Sequence, residues 1–248
     1  MTEGTKPSRR AFVHGAASAV ATATVAAGAE GQDSPTRSVR LAVVTGSHPY
    51  DVLAFHRLFR GMRGIDAYVQ HLEDFAWTPE PVRDAYDAVL LYFMPMQPPT
   101  DPVRSALERL GAAPQGVIVL HHALLAYPQW EHWSDIVGIA NRSFGFHPNQ
   151  QIRVRVSDPR HPITRGLRDW DMTDETYTMA DAGSDSTVLA TVDHPKSMRT
   201  LAWARQVRAA RVFCFASGHD DAAWSNPGFL ALLTRGIRWA AGAHAPSR

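Results

Sequence analysis

Ala88-Val-Leu-Leu-Tyr-Phe93 is an uninterrupted apolar run of strand length, and its reading decides the fold. A strand with no polar alternation has both faces covered, as in a parallel sheet flanked by helices. The chain around it repeats that logic. Upstream, Val39-Arg-Leu-Ala-Val-Val-Thr45 reads as a first buried strand ended by Gly46-Ser47-His48-Pro49. Val52, Phe55, Leu58, Phe59 and Met62 then recur at helical spacing, predicting a helix over Val52 to Arg63, and Ile65 to Gln70 reads as a short second strand. Downstream, Pro95, Pro98 and Pro99 break the chain before a helix from Asp101 to Leu110, which Gly111 ends. Gly116-Val-Ile-Val-Leu120 is the fourth strand and runs directly into His121-His122. Strands alternating with helices imply an α/β domain with a mostly parallel sheet.

The later chain changes character. Gln151–Val156, Thr187–Val192, Leu201–Val207 and Arg211–Ala216 are four β-like runs with short links, which predict an antiparallel extension of the sheet. Gly228 to Ala241 closes the chain as a helix, with Phe229, Leu232, Leu233, Ile237 and Trp239 on its apolar face. No repeat or linker divides residues 30–248, which read as one domain with a core of about 39–242.

Composition narrows the function. The 248 residues are 45% hydrophobic and 20% charged, so a core needs no disulfide or structural metal to close it. A net charge of +1 with dispersed arginines argues against nucleic acid as a partner. The single cysteine, Cys214, sits inside an apolar run, where a thiol is a small hydrophobe rather than an exposed nucleophile. At the N-terminus, Ser8-Arg9-Arg10-Ala11-Phe12-Val13, a mildly apolar stretch over Ala16–Ala27 and the small residues Ala27-Gly28-Ala29 resemble a twin-arginine leader cut after Ala29. The expectation is recognition by the twin-arginine export machinery and a periplasmic or secreted mature protein without a stable membrane span.

Twelve histidines are present, about twice the share of average composition. In parallel α/β sheets, ligands bind beyond the carboxyl ends of the strands. Three strands deliver histidine to that edge: His48 after the first, His121 and His122 after the fourth, and His219 after the run ending in Ser217-Gly218. Glu175, in Asp174-Glu175-Thr176-Tyr177, is expected in an irregular region as an acid, base or metal ligand, and His147 lies in the long connection after His122. His121, His219 and Glu175 are the candidate catalytic groups. His48, His122, His147, Asp174, Tyr177, Trp130 and Trp133 are candidates for substrate contact, the tryptophans as sugar-stacking faces or as plain core. No zinc motif, phosphate loop or serine elbow occurs. A divalent metal such as zinc, held by His48, His121, Glu175 and His219, is chemically reasonable, as is metal-free proton transfer.

An ordered series of segments resembles the ThuA-like family. It comprises Val44-Thr-Gly-Ser-His48, Asp87-Ala-Val-Leu-Leu-Tyr92 and Gly116-Val-Ile-Val-Leu-His-His122 with Trp130 and Trp133. Asp158-Pro-Arg-His-Pro-Ile-Thr-Arg-Gly166, Asp174-Glu175-Thr-Tyr177, Gly218-His219, Trp224 and Arg235-Gly-Ile-Arg-Trp-Ala-Ala241 complete it. The resemblance implies a flavodoxin-like, class I glutamine-amidotransferase-like fold. The turn that carries the nucleophilic cysteine in amidotransferases corresponds here to His121-His122. It further implies a small carbohydrate or keto-sugar partner, handled by an enzyme (hydrolysis, elimination or isomerisation) or by a non-catalytic binding protein. Fold alone transfers neither activity.

Overall fold

The computed structural model describes residues 37–243; the expected leader over residues 1–29 lies outside them. The chain runs β1 (Val39–Gly46), α1 (Val52–Arg60), β2 (Ile65–His71), α2 (Leu72–Trp77), α3 (Glu80–Arg83), β3 (Ala88–Phe93), α4 (Val103–Glu108) and β4 (Gly116–Leu120). A 3-10 turn over His121–Leu125 follows, then α5 (Glu131–Val137), β5 (Gly145–Val156), β6 (Trp170–Thr178), β7 (Thr187–Val192), β8 (Thr200–Val207), β9 (Ala210–Phe215), α6 (Asp221–Trp224) and α7 (Pro227–Ala240).

Among the described residues, one mixed sheet holds nine strands in the order β2-β1-β3-β4-β9-β8-β7-β5-β6. The five strands β2, β1, β3, β4 and β9 pair in parallel, and every residue of β3 and β4 is buried. β8, β7, β5 and β6 continue antiparallel. The run expected to belong wholly to the antiparallel extension, Arg211–Ala216, is instead the junction: β9 is parallel to β4 and antiparallel to β8. The strand order reverses between β1 and β3, the point at which open α/β sheets leave a crevice. Two helix groups pack together, α2 with α4, and α1 and α7 each with the short α6. That division is expected when crossovers on either side of a reversal take opposite faces.

Close packing pins the parallel half. A methyl group on Gly116, at the start of β4, would come within 2.4 Å of the Ala240 backbone, so α7 lies directly on that strand end. Asn226 caps α7 by accepting from the Gly228 and Phe229 amides, and Pro227 occupies its first turn. Cys214 is fully buried in β9, and burial pushes its thiol pKa well up, in keeping with its apolar run.

Two sequence expectations are corrected. The Asp174–Tyr177 region is not irregular: it is the middle of β6, paired with β5 from Gly145↔Thr178 to Val154↔Trp170. β5 itself begins at Gly145, six residues before the expected run. The β5–β6 ribbon joins β7 through only Val154, Arg155 and Val156. Although β6 is last in the sheet order, the Asp174 carboxylate bonds the turn after β9, so the ribbon folds back onto the carboxyl edge of the parallel strands. Among the described residues, no helix is long and apolar enough to cross a membrane.

Candidate functional site

β4 delivers His121 to the carboxyl edge in a left-handed backbone conformation (φ 52°), a strained geometry for a residue with a side chain. The strain turns the chain abruptly from strand into the 3-10 turn. Arg142, 3% exposed, braces the segment that follows. Its guanidinium donates to the carbonyls of Leu124 (3.2 Å), Ala126 and Tyr127 (2.7 Å), and its Nε donates to the Ser134 hydroxyl. Burial pulls the guanidinium pKa down to about 10.

His121 is completely buried. Its Nδ1 lies 3.0 Å from the Ala216 carbonyl, which can only accept, so Nδ1 carries a proton and Nε2 faces the site. Around Nε2 lie the Tyr177 hydroxyl at 2.7 Å, His219 Nδ1 at 3.3 Å and Glu175 Oε1 at 3.5 Å. Glu175 Oε1 is in turn 3.6 Å from His219 Nδ1. Glu175 and Tyr177 share a face of β6, as alternate strand residues do, and both meet His121. Burial pushes the Glu175 carboxyl up, but the His121 hydrogen bond and the adjoining imidazoles outweigh it and hold its pKa below the ordinary value. Burial, reinforced by Glu175, drives the Tyr177 hydroxyl pKa far up, so it stays a protonated donor.

Asp174 is a correction. Expected to touch substrate, it is 2% exposed, and its carboxylate is spent on the backbone. Oδ2 accepts from the Gly218 amide at 2.7 Å, and Oδ1 accepts from the His219 and Glu175 amides at 3.1 and 2.8 Å. Asp174 therefore sets the turn that presents His219. Burial pushes its carboxyl pKa up, against the pull of His121 and these amides. Tyr92, which reads in the sequence as one more residue of an apolar strand, supports the same turn by donating to the Gly218 carbonyl at 3.0 Å. Trp224 Nε1 donates to that carbonyl at 2.9 Å.

His48 and His122 form a second layer. Their rings stack at 4.3 Å, and the other side of the pair rests on Tyr92, 4.1 Å from His122. His48 is half-buried, with its ring 6.1 Å from His219, and its Nδ1 donates to the Pro49 carbonyl. It is thus beside the cluster but outside the group of converging ligand atoms, which consists of His121, Glu175 and His219. His122 is buried, and among the described residues neither ring nitrogen has a hydrogen-bond partner. Burial, with the charges of His121, His48 and His219, drives its pKa far down, so the ring is neutral.

The remaining candidates sit elsewhere. Trp133 is fully buried, donates Nε1 to the Ala123 carbonyl at 2.9 Å and packs on Phe93 and Tyr127, so it is core and cannot present a face to a sugar. Trp130 is half-buried under the Arg104 guanidinium, against Tyr127. His147 lies on β5 opposite Thr176, near the Thr178 hydroxyl. A cleft of about 700 Å³ opens near Ser134, Ile139, Asp181 and Arg205, and no member of the histidine cluster lines it.

A sequence profile described as ThuA, trehalose utilisation, matches residues 43–240. A search of curated proteins returned no match. Among solved structures, a thua-like protein from Parabacteroides merdae superposes with a TM-score of 0.69 at 19% identity, over 86% of this chain and 93% of that one. Another, from Bacteroides uniformis, gives 0.65 at 18% identity, over 84% and 94%. A β-galactosidase from Bacillus circulans sp. alkalophilus gives 0.56 at 14% identity, over 84% of this chain but 32% of its own. At these identities the likeness concerns the fold.

Proposed function

This chain belongs to the ThuA, or trehalose-utilisation, family, and on that premise we propose that it is an enzyme acting on a small carbohydrate or keto-sugar by hydrolysis, elimination or isomerisation. One observation carries the reading: Nε2 of His121, Oε1 of Glu175 and Nδ1 of His219, delivered by three separate strands, lie within 4.8 Å of one another at the ligand-binding edge of the sheet. Such a set can take a proton from a carbon next to a carbonyl, or from water, and return it elsewhere. In this reading His121, with Nδ1–H fixed by Ala216, offers a lone pair at Nε2; Tyr177 donates a hydrogen bond into the site; Glu175 orients His219, which faces solvent with a third of its side chain exposed.

The finer fold assignment, to the class I glutamine-amidotransferase type, draws support from the β2-β1-β3-β4-β9 order and from the left-handed residue at the end of β4. That residue is His121, and the only cysteine is buried in β9, so thiol chemistry is not part of the proposal. A non-catalytic sugar-binding protein would have used Trp130 and Trp133 as platforms; with Trp133 in the core, that reading loses one of its two supports.

The test is a screen of the purified chain against trehalose, other disaccharides and their 3-keto forms, beside His219→Ala and Glu175→Gln variants. Turnover that falls at least about 100-fold in both variants supports the reading. Saturable binding without turnover would replace it with the accessory-protein reading. Export is proposed with it, on the arginine pair Arg9-Arg10 and the Ala27–Ala29 site. A reporter fused to residues 1–35 that stays in the cytoplasm would remove that part.

A further inference from the structure

The distances among the three converging atoms form a nearly equilateral triangle, with edges of 3.3, 3.5 and 3.6 Å. A tetrahedral ion bound through nitrogen and carboxylate oxygen at about 2.0–2.2 Å requires ligand-to-ligand edges of about 3.3–3.6 Å. We infer that His121, Glu175 and His219 form a three-ligand site for a divalent transition metal of the zinc type, with the fourth position open toward solvent.

Four features beyond the triangle point the same way. First, His121 Nδ1–H is committed to the Ala216 carbonyl, which leaves Nε2 as the ring atom on the site side, 3.5 Å from Glu175 Oε1. Second, the carbonyl partner is the arrangement metal-bound imidazoles use to fix their tautomer and orientation. Third, the ligands are held by buried supports: the Asp174 carboxylate fixes the His219 and Glu175 backbone, and the left-handed turn fixes His121. Fourth, the ligand types are two imidazoles and one carboxylate, a set that suits zinc and leaves room for water or a substrate oxygen. His219, at 32% side-chain exposure, marks the open side. Tyr177, whose hydroxyl also lies against Glu175, can turn its hydrogen bond to the carboxylate when an ion takes the Nε2 lone pair. His48 is not a ligand: its ring stacks on His122, and its Nδ1 is turned to the Pro49 carbonyl.

The inference rests on reading this cluster as the reactive centre, and it is tested without any sugar. The full chain, stripped with a chelator and dialysed, is titrated calorimetrically with Zn²⁺ and followed spectroscopically with Co²⁺. The expected result is one ion per chain and the visible bands of four-coordinate cobalt. His219→Ala and Glu175→Gln should each weaken the affinity more than about 100-fold, whereas His48→Ala should leave it within about threefold. Thermal melts of the metal-free variants keep the comparison to folded chains, and His219, on the accessible side, is the substitution least able to disturb the core. Absence of stoichiometric binding, or affinity unchanged in both ligand variants, overturns the site. Metal binding without sugar turnover would keep the site and retire the sugar reading; turnover in a chain that binds no metal would do the reverse.

Discussion

Replacing Asp174 with asparagine should destabilise the protein by about 2 kcal/mol, and the number follows from counting acceptors. The carboxylate serves three amides, Gly218 through Oδ2 and His219 and Glu175 through Oδ1. A carboxamide has one oxygen. Its better orientation keeps that oxygen on the His219 and Glu175 amides and points its NH2 group at the Gly218 amide, donor against donor, where the native contact is 2.7 Å. One charge-assisted hydrogen bond, worth roughly 1.5–3 kcal/mol, is lost, and a buried N–H is left unpaired. Part is offset because a neutral amide escapes the desolvation that pushes the Asp174 carboxyl pKa up. With a urea slope of about 2.5 kcal/mol/M, a loss of about 2 kcal/mol lowers the unfolding midpoint by about 0.8 M at an unchanged slope. A midpoint within about 0.2 M of the parent would refute the assignment of this carboxylate as the clamp on the Gly218–His219 turn.

Three further outcomes are expected. Arg142→Met strands the carbonyls of Leu124, Ala126 and Tyr127 and should cost at least about 3 kcal/mol by the same urea assay. Gly116→Ala drives a methyl group to 2.4 Å from the Ala240 backbone, which cannot rotate away, and should cost about 1–3 kcal/mol, read as a fall in melting temperature. For Asp87, burial raises the carboxyl pKa, but the hydrogen bonds and charge of Arg40 and the hydrogen bond from Arg37 outweigh it, so the folded value lies below the ordinary 3.8. A depressed acid contributes stability above its unfolded pKa and loses it as pH falls through the folded one. Asp87→Asn should therefore flatten the fall in stability below about pH 4 and lower stability at neutral pH; a curve parallel to the parent's would count against it.

The parts of the fold visible in the sequence are those whose burial is apolar. β1, β3 and β4 announce themselves because both faces of each strand are buried, so nearly every position is hydrophobic. β6 is hidden for the opposite reason. Its buried positions include Asp174, Thr176 and Tyr177, whose polar atoms bond the Gly218–His219 turn, the Lys196 carbonyl and His121, and the hydrophobic alternation that marks a half-buried strand is absent. The first half of β5 is exposed or half-exposed throughout, which hides it in the same way. The histidines can be placed at the strand ends because the ligand-binding edge of a parallel sheet is a topological property. That three of the candidate atoms converge while His48 stacks aside is not legible, since it depends on the ribbon folding back. Asp174 stands out in the sequence by its charge, yet its role does not. A lone sequence cannot tell a carboxylate that faces a ligand from one that satisfies backbone amides. Tyr92 offers no signal at all within its apolar run.

The slender attachment of the β5–β6 ribbon has a consequence for how the centre can be lost. Groups that meet at His121 come from as far as 98 residues away in the chain, and two of them, Glu175 and Tyr177, travel on a ribbon joined to β7 by three residue pairs. Peeling those pairs apart, together with the Asp174 bonds to the Gly218–His219 turn and the bonds of Thr176 and Tyr177 to Lys196 and Met198, separates Glu175 and Tyr177 from His121 while the ladders of β2, β1, β3, β4 and β9 stay closed, a sub-global opening that costs less than unfolding. Competence at this centre and integrity of the surrounding helices and strands are thus separable quantities, and amide exchange in β6 is where they would first diverge.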